Sequence, residues 1–144
     1  MQMKGGGGSG NLSRGGDDVW RQMFCASLDA ILLTCPDGSI LAANAEACRI
    51  FGMSEEEIRR AGSDGLIDPA DSRFIPLREE RARMGKVRGE LRMRRGDGSL
   101  FPATVASAVF MDSSGSELIC VIVRDLTEQR RLEEELRQNE SRYR

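Results

Sequence analysis

The chain has 144 residues, 40 % of them hydrophobic and 31 % charged, which is enough apolar material for one core and not for two. Lys plus Arg number 21 against 23 Asp plus Glu, and the net charge of -2 gives no general attraction for nucleic acid or an anionic membrane surface. Histidine is absent, which removes a histidine-ligated haem, a phosphoacceptor histidine, a Ser-His-Asp triad and most catalytic zinc sites.

Residues 1–16 open with the run GGGGSG, the composition of a flexible linker, and order is expected from Asp17 onward. Val19, Trp20, Met23, Phe24 and Leu28 then recur at helical spacing behind Asp17 or Asp18 as N-cap, predicting a short amphipathic helix with a broad apolar face. Ala30 to Thr34 and Ser39 to Ala43 read as two strands joined by the hairpin loop Cys35-Pro-Asp-Gly38. Asn44 is placed to cap a helix, Ala45 to Phe51, that Gly52 ends in the left-handed conformation.

Ser54 and Glu57 fit a capping box, framed by Met53 and Ile58 as an apolar staple, and the helix they open is expected to stop near Gly62. Asp68-Pro69 reads as the next helix start, with Phe74, Leu77 and Met84 continuing the pattern to Gly85. Pro76 within that pattern predicts a kink or two short pieces. Beyond it, Val87, Gly89, Leu91 and Met93 alternate with Arg88, Glu90, Arg92 and Arg94, the pattern of a half-buried strand. Arg88, Arg92, Arg94 and Arg95 form a basic row, but Glu90 interrupts it and no aromatic residue is interleaved, so it reads as a charged strand face that discourages edge pairing and not as a nucleic-acid stripe.

After the Gly96-Asp-Gly98 turn, Phe101 to Met111 forms a second strand and Asp112-Ser-Ser-Gly115 a second turn. Leu118 to Val123 is continuously apolar, so it is expected in mid-sheet and covered on both faces, with the Trp20 helix as outer cover. Residues 128–144 form a charged helix whose seam is Gln129, Leu132, Leu136, Asn139 and Tyr143, with Glu133 and Arg137 as an i to i+4 pair. A helix this short is marginal alone in water, so a homodimer is expected.

Cys25, Cys35, Cys48 and Cys120 show no CxxC spacing and fall in apolar or turn segments, reading as reduced, buried thiols of a cytoplasmic protein. No apolar run approaches the roughly 18 residues needed to cross a bilayer. The sequence carries no nucleophile paired with a base, no metal-ligand spacing and no phosphate loop; GGGGSG lacks the Lys-Ser/Thr that completes such a loop.

The segments Leu28-Asp-Ala-Ile31, Pro36-Asp-Gly-Ser-Ile-Leu-Ala-Ala-Asn44, Phe51-Gly-Met-Ser54, Asp68-Pro-Ala-Asp71, Gly89 to Ser99 and Val123-Arg-Asp-Leu-Thr-Glu128 resemble, in order, those of the PAS family over Val19 to Gln129. The resemblance implies an α+β fold: a five-stranded antiparallel sheet with short helices enclosing a pocket on one face and flanking N- and C-terminal helices, the sensor domain occupying residues 17–127. It also implies a non-catalytic sensory module of a signalling protein, of histidine kinase or cyclic-di-nucleotide enzyme type, with an effector downstream. A ligand-free dimerisation adaptor and the input domain of a transcription regulator are the alternatives. Asn139-Glu-Ser-Arg-Tyr-Arg144 resembles the start of a further repeat. Asp71-Ser-Arg-Phe74 stands where the photoactive flavin branch carries its reactive cysteine, which argues against a flavin photoadduct.

Phe74, Leu77, Leu91, Met93, Val105 and Cys120 either line a ligand pocket or fill the core, and spacing does not separate the two. If a pocket exists, a small apolar molecule, fatty-acid-like, is expected beside the Pro76 kink. Asp125 and Thr127 are good caps for the last helix, and by resemblance they couple the sheet to it.

Overall fold

In the computed structural model residues 19–142 are described; the linker-like segment 1–16, the candidate caps Asp17 and Asp18, and Tyr143 lie outside them. Apolar residues with strand character build β1 (Ala30–Thr34), β2 (Ile40–Ala43), β3 (Lys86–Arg94), β4 (Leu100–Met111) and β5 (Glu117–Asp125). All pair antiparallel, in the spatial order β2-β1-β5-β4-β3. The last strand therefore lies between two sequence-local hairpins. Helix α1 covers residues 19–26, and α2 (Ala45–Phe51), α3 (Glu55–Leu66), α4 (Phe74–Met84) and α5 (Thr127–Arg142) complete the α+β fold.

Local chemistry sets most helix ends. The Asn44 side chain accepts the Ala47 amide at 3.0 Å to start α2, and Gly52, at φ 64°, ends it where an L side chain would be strained. The capping box of α3 is complete: Ser54 Oγ accepts the Glu57 amide at 3.1 Å, and the Glu57 carboxylate accepts the Ser54 amide at 2.8 Å. Ala47, Ile50, Phe51, Ile58 and Leu66 pack from the helices onto Ala30, Leu32, Leu91, Met93, Phe101, Ala103 and Val123 of the sheet. Phe51 and Phe101 meet edge to face at 5.8 Å in the middle of this core. At β3 the backbone comes so close to α4 that a Cβ on Gly89 would stand 2.6 Å from Leu77 Cδ2.

Several expectations are corrected. Asp68-Pro69 does not open a helix: the Asp68 carboxylate accepts the Ala70 amide in a turn, and α4 starts at Phe74. Pro76 then falls in the first turn, where its missing N–H has no helical acceptor to satisfy, so α4 runs unbroken. The helix after Ser54 kinks at Gly62 and continues to Leu66 instead of stopping. Arg137 pairs with Glu134, not Glu133, which accepts from Gln129.

The central strand is sealed on one face only. Ile119 and Val123 point into the core at 2 and 0 % exposure, whereas Ile122, on the outer face, is 36 % exposed. Trp20 and Phe24 stack at 5.1 Å and, with Ile31, Leu33, Phe110 and Cys120, line a shallow apolar groove on that outer face, but α1 leaves Val19, Trp20 and Met23 about half or more in solvent, and Leu28, expected on this helix, lies beyond its end and is exposed. The cysteines are not fully buried either: Cys25 is exposed and Cys35, Cys48 and Cys120 are half-buried.

Candidate functional site

Between α4 and the inner face of the sheet lies a cavity of about 70 Å³. Phe74, Leu77, Leu91, Met93 and Val105 line it, together with Leu32, Leu66 and Val121. Cys120 does not. Along β5 side chains alternate, Val121 turns inward, and its neighbour Cys120 faces the outer groove beside Phe24 and Phe110. Desolvation there pushes the Cys120 thiol above its ordinary value, which makes it less reactive. The volume is well below the roughly 300 Å³ at which sites for drug-sized ligands begin. With no kink at Pro76, the extra room expected for a fatty-acid-like chain is not there.

A second constellation joins the sheet to the exit helix. Arg95, at the end of the β3 hairpin arm, donates to the Ile50 carbonyl at 2.6 Å, to Asp125 Oδ2 at 2.9 Å and to Thr127 Oγ1 at 3.2 Å. Its guanidinium carbon lies 4.1 Å from the Phe101 ring centroid, a cation–π contact. Asp125 Oδ1 accepts the Thr127 amide at 2.8 Å, fixing the first turn of α5. Burial alone would raise the Asp125 carboxyl, but the hydroxyl and amide of Thr127 and the charge of Arg95 together hold it below its ordinary value. Asp125 and Thr127 thus share one partner, and that partner, Arg95, was not among the expected site residues.

Charged residues of β3 extend the junction. Glu90 accepts from Arg130 of α5 at 2.5 Å and lies 3.5 Å from Arg73. Asp71 Oδ1 accepts the Arg73 amide at 3.0 Å and its Nε at 2.9 Å, and Asp71 Oδ2 accepts the Arg92 amide at 2.7 Å. These bonds, the Arg73 side chain foremost, hold the Asp71 carboxyl far below its ordinary value. Of the basic residues of β3, Arg92 lies 3.4 Å from Asp68, and Glu90 stands between Arg88 and Arg92 in the strand.

The entry helix is tied by a different side chain. Asn44, 1 % exposed, donates from Nδ2 to the Phe24 carbonyl at 2.8 Å and the Asp29 carbonyl at 2.9 Å, while its Oδ1 accepts the Ile31 and Ala47 amides at 3.0 Å each. One amide uses both donors and both acceptor directions to lock α1, β1 and α2 together. On α5, Leu132 and Leu136 are 51 and 60 % exposed, so the aliphatic part of the seam is uncovered within this chain. Asn139 follows on the same helix, and Tyr143 lies outside the described residues. Among the described residues no cluster of three or more His, Cys, Asp or Glu is arranged to hold a metal ion, and no helix is long and apolar enough to cross a membrane.

The geometry has clear relatives. Sporulation kinase E of Bacillus subtilis is 29 % identical over 131 residues, covering 89 % of this chain and 17 % of that protein, so the chain spans about a sixth of the curated relative it matches. Among solved structures, a PAS domain from a two-component sensor histidine kinase superposes with TM-score 0.68 at 18 % identity, covering 78 % of this chain and 98 % of that one. A PAS domain from Colwellia psychrerythraea superposes with TM-score 0.67 at 23 % identity, covering 77 % and 97 %. Both structural likenesses speak for the fold alone. The PAS domain family model matches residues 28–128, from the lead into β1 to the first turn of α5. That match takes in the sheet, the inner cavity and the Arg95 junction, and the chain belongs to the PAS domain family, as a sensory and non-catalytic module.

Proposed function

We propose that the domain is a relay in a multidomain signalling protein of the histidine kinase or cyclic-di-nucleotide enzyme type, passing a change in the sheet to a downstream effector through α5. The observation that carries this is the Arg95 bridge, which joins the end of α2, the β3–β4 hairpin and the first turn of α5 at one guanidinium. A movement of the inner helices is felt at Ile50 and reaches Asp125 and Thr127 through a single side chain. The kinase relative supports the choice of effector. Two copies pair through Leu132, Leu136, Asn139 and Tyr143, since a short helix with half-exposed leucines gains stability only against a partner.

The test is Arg95→Ala and Asp125→Ala in the full-length parent, with kinase or cyclase output measured beside the folding of the domain. Both variants are expected to fold and to shift basal output in the same direction. Output identical to wild type in both would reject the relay. For pairing, Leu132→Cys in a Cys25→Ser background is expected to cross-link under mild oxidation, and a persistent monomer would reject the dimer.

The small interior supports a second reading, an adaptor that senses nothing and only dimerises. The two readings part on whether any small molecule stabilises the chain.

A further inference from the structure

Helix α4 turns two kinds of side chain toward the inner cavity. Phe74 and Leu77 pack against the core, and Arg81, one turn further on, lines the same space, with Arg78 at its rim and 6.0 Å from the Phe74 ring centroid. Arg81 is half-buried, and among the described residues no carboxylate lies within 4.0 Å of its guanidinium or that of Arg78. Asp64, the one acid lining the cavity, pairs with neither. Desolvation, aided by the like charge of Arg78, lowers the Arg81 pKa from its ordinary value. An arginine in a protein nevertheless keeps its proton. The result is a half-buried positive charge with no carboxylate within 4.0 Å, in a cavity whose one acid, Asp64, forms no ion pair with it, an arrangement that costs energy until a closer counter-charge arrives.

An independent observation comes from the opposite wall. Thr34 and Ser107 bring hydroxyls from the inner faces of β1 and β4, at 3 and 6 % exposure, and both line the cavity. Among the described residues neither hydroxyl takes part in a side-chain hydrogen bond. Buried hydroxyls are normally satisfied, so two in one cavity mark a place where a polar ligand atom fits. The strand register orders the walls. Val87 stands opposite Ser107, Ser107 opposite Val121, and Val121 opposite Leu32, whereas Leu91 and Met93 stand opposite Ala103 and Phe101 further along. Because α4 runs back into β3 through Gly85, its Arg81 end lies toward Ser107 and its Phe74 end toward Leu91 and Met93. The cavity is therefore polar at the end that holds Arg81, Ser107 and Thr34, where Asp64 also lies beside Ser63, and apolar at the other.

We propose that the cavity is the input site for a short-chain monocarboxylate, its carboxylate against Arg81 and the hydroxyls of Ser107 and Thr34, its alkyl chain toward Leu77, Leu91 and Val105. The inference rests on the sensory reading above. Size sets the chain length: at roughly 10–15 Å³ of such space per water-sized group, a cavity of about 70 Å³ admits about five to seven heavy atoms. Acids of about two to four carbons fit, and longer ones require α4 to move. Binding closes the charge of Arg81 and so favours the state in which α4 lies against β3.

The test uses the 144-residue chain and propionate, followed by calorimetry and by backbone amide shifts, with chloride at equal ionic strength as the blank. Propionate is expected to bind saturably and shift the amides of Val105 and Ser107. Propionamide, of the same shape without the charge, is expected to bind at least about tenfold more weakly, and so is inorganic phosphate, which carries charge without the alkyl chain. Arg81→Gln should level acid and amide, while Arg81→Lys retains a preference for the acid; circular dichroism confirms that both fold. No saturable binding of propionate, equal affinity for acid and amide, phosphate binding as tightly as propionate, or an unaltered preference in Arg81→Gln would each overturn the proposal. Any of these results would leave the Arg95 relay standing, because that is read from output in the parent protein.

Discussion

Arg95 and Asp125, 30 residues apart in the chain, meet at 2.9 Å with both side chains about three-quarters withdrawn from solvent. Bonds of an ionised donor to an ionised acceptor are worth about 1.5–3 kcal/mol when shielded and less than 1 kcal/mol when fully wet. Arg95→Ala also removes the bond to the Ile50 carbonyl and the contact with the Phe101 ring. We expect a loss of about 2 kcal/mol in urea unfolding at pH 7. Arg95→Lys should recover less than half of it, because an ammonium cannot hold three partners in a planar fork. A loss under about 0.5 kcal/mol in Arg95→Ala would contradict the bridge's structural weight.

Asp71 gives the fold a defined acid sensitivity. Its folded-state pKa is depressed, first by the Arg73 side chain and then by the amides of Arg92 and Arg73. Its contribution is therefore complete above the unfolded-state value near 3.8 and fades as pH falls below it toward the folded value. Asp71→Asn should destabilise by about 1–3 kcal/mol at pH 7. The gap to wild type should narrow steadily from pH 4 downward. An equal gap at pH 7 and pH 3 would mean that the ionised form is not what matters.

Asn44 should prove critical for docking the first helix. Asn44→Asp keeps the two acceptor bonds but turns both donors into an oxygen facing the Phe24 and Asp29 carbonyls. The expected cost is about 2–4 kcal/mol. Trp20, the single tryptophan, is stacked on Phe24 and should report release of α1 by a red-shifted emission at denaturant concentrations where the sheet is still folded. An unshifted emission would show that α1 docks by its apolar face alone.

Gly89 and Leu77 should couple. A methyl at position 89 would collide with the Leu77 side-chain tip, which has some freedom to turn away, so Gly89→Ala should cost about 1–3 kcal/mol. In Leu77→Ala the same substitution should be nearly free. Additive costs in the double-mutant cycle would argue against the close approach of α4 and β3.

Thiol labelling should follow exposure. Cys25, exposed on α1, should be alkylated first. Cys48, its thiol raised by burial and by the charge of Glu55, and Cys120, raised by burial, should be slowest at pH 7. Mass spectrometry of a quenched time course gives the order, and early labelling of Cys120 would show that the outer groove opens readily.

What could be read from the residues alone divides along the range of the forces. In their capping roles Asn44, Gly52 and the pair Ser54 and Glu57 act within four positions of themselves, and the structure shows all of these caps. Pro76 misled for the same reason: its effect depends on where α4 begins, and that start moved from Asp68 to Phe74 because Asp68 accepts from Ala70 and Arg92 instead. Leu118 to Val123 was legible as the middle strand, but an unbroken apolar run has no alternation, so nothing in it told which of Cys120 and Val121 faces inward. The bridging role of Arg95, read from sequence only as part of a charged strand face, was hidden for a plainer reason. Its partners Ile50, Asp125 and Thr127 lie 45, 30 and 32 positions away, and only the closed sheet brings them to one guanidinium.

The strand order carries a consequence for how the protein is made. During synthesis the ribbons β1–β2 and β3–β4 emerge first and have no edge in common, because the strand that joins them is the fifth. Until the fifth strand is made no strand pairing joins the two ribbons, and the Arg95 side chain has no Asp125 carboxylate to meet. The five-stranded sheet can therefore close only after its fifth strand has been made, and the residues that start α5 follow directly behind that strand.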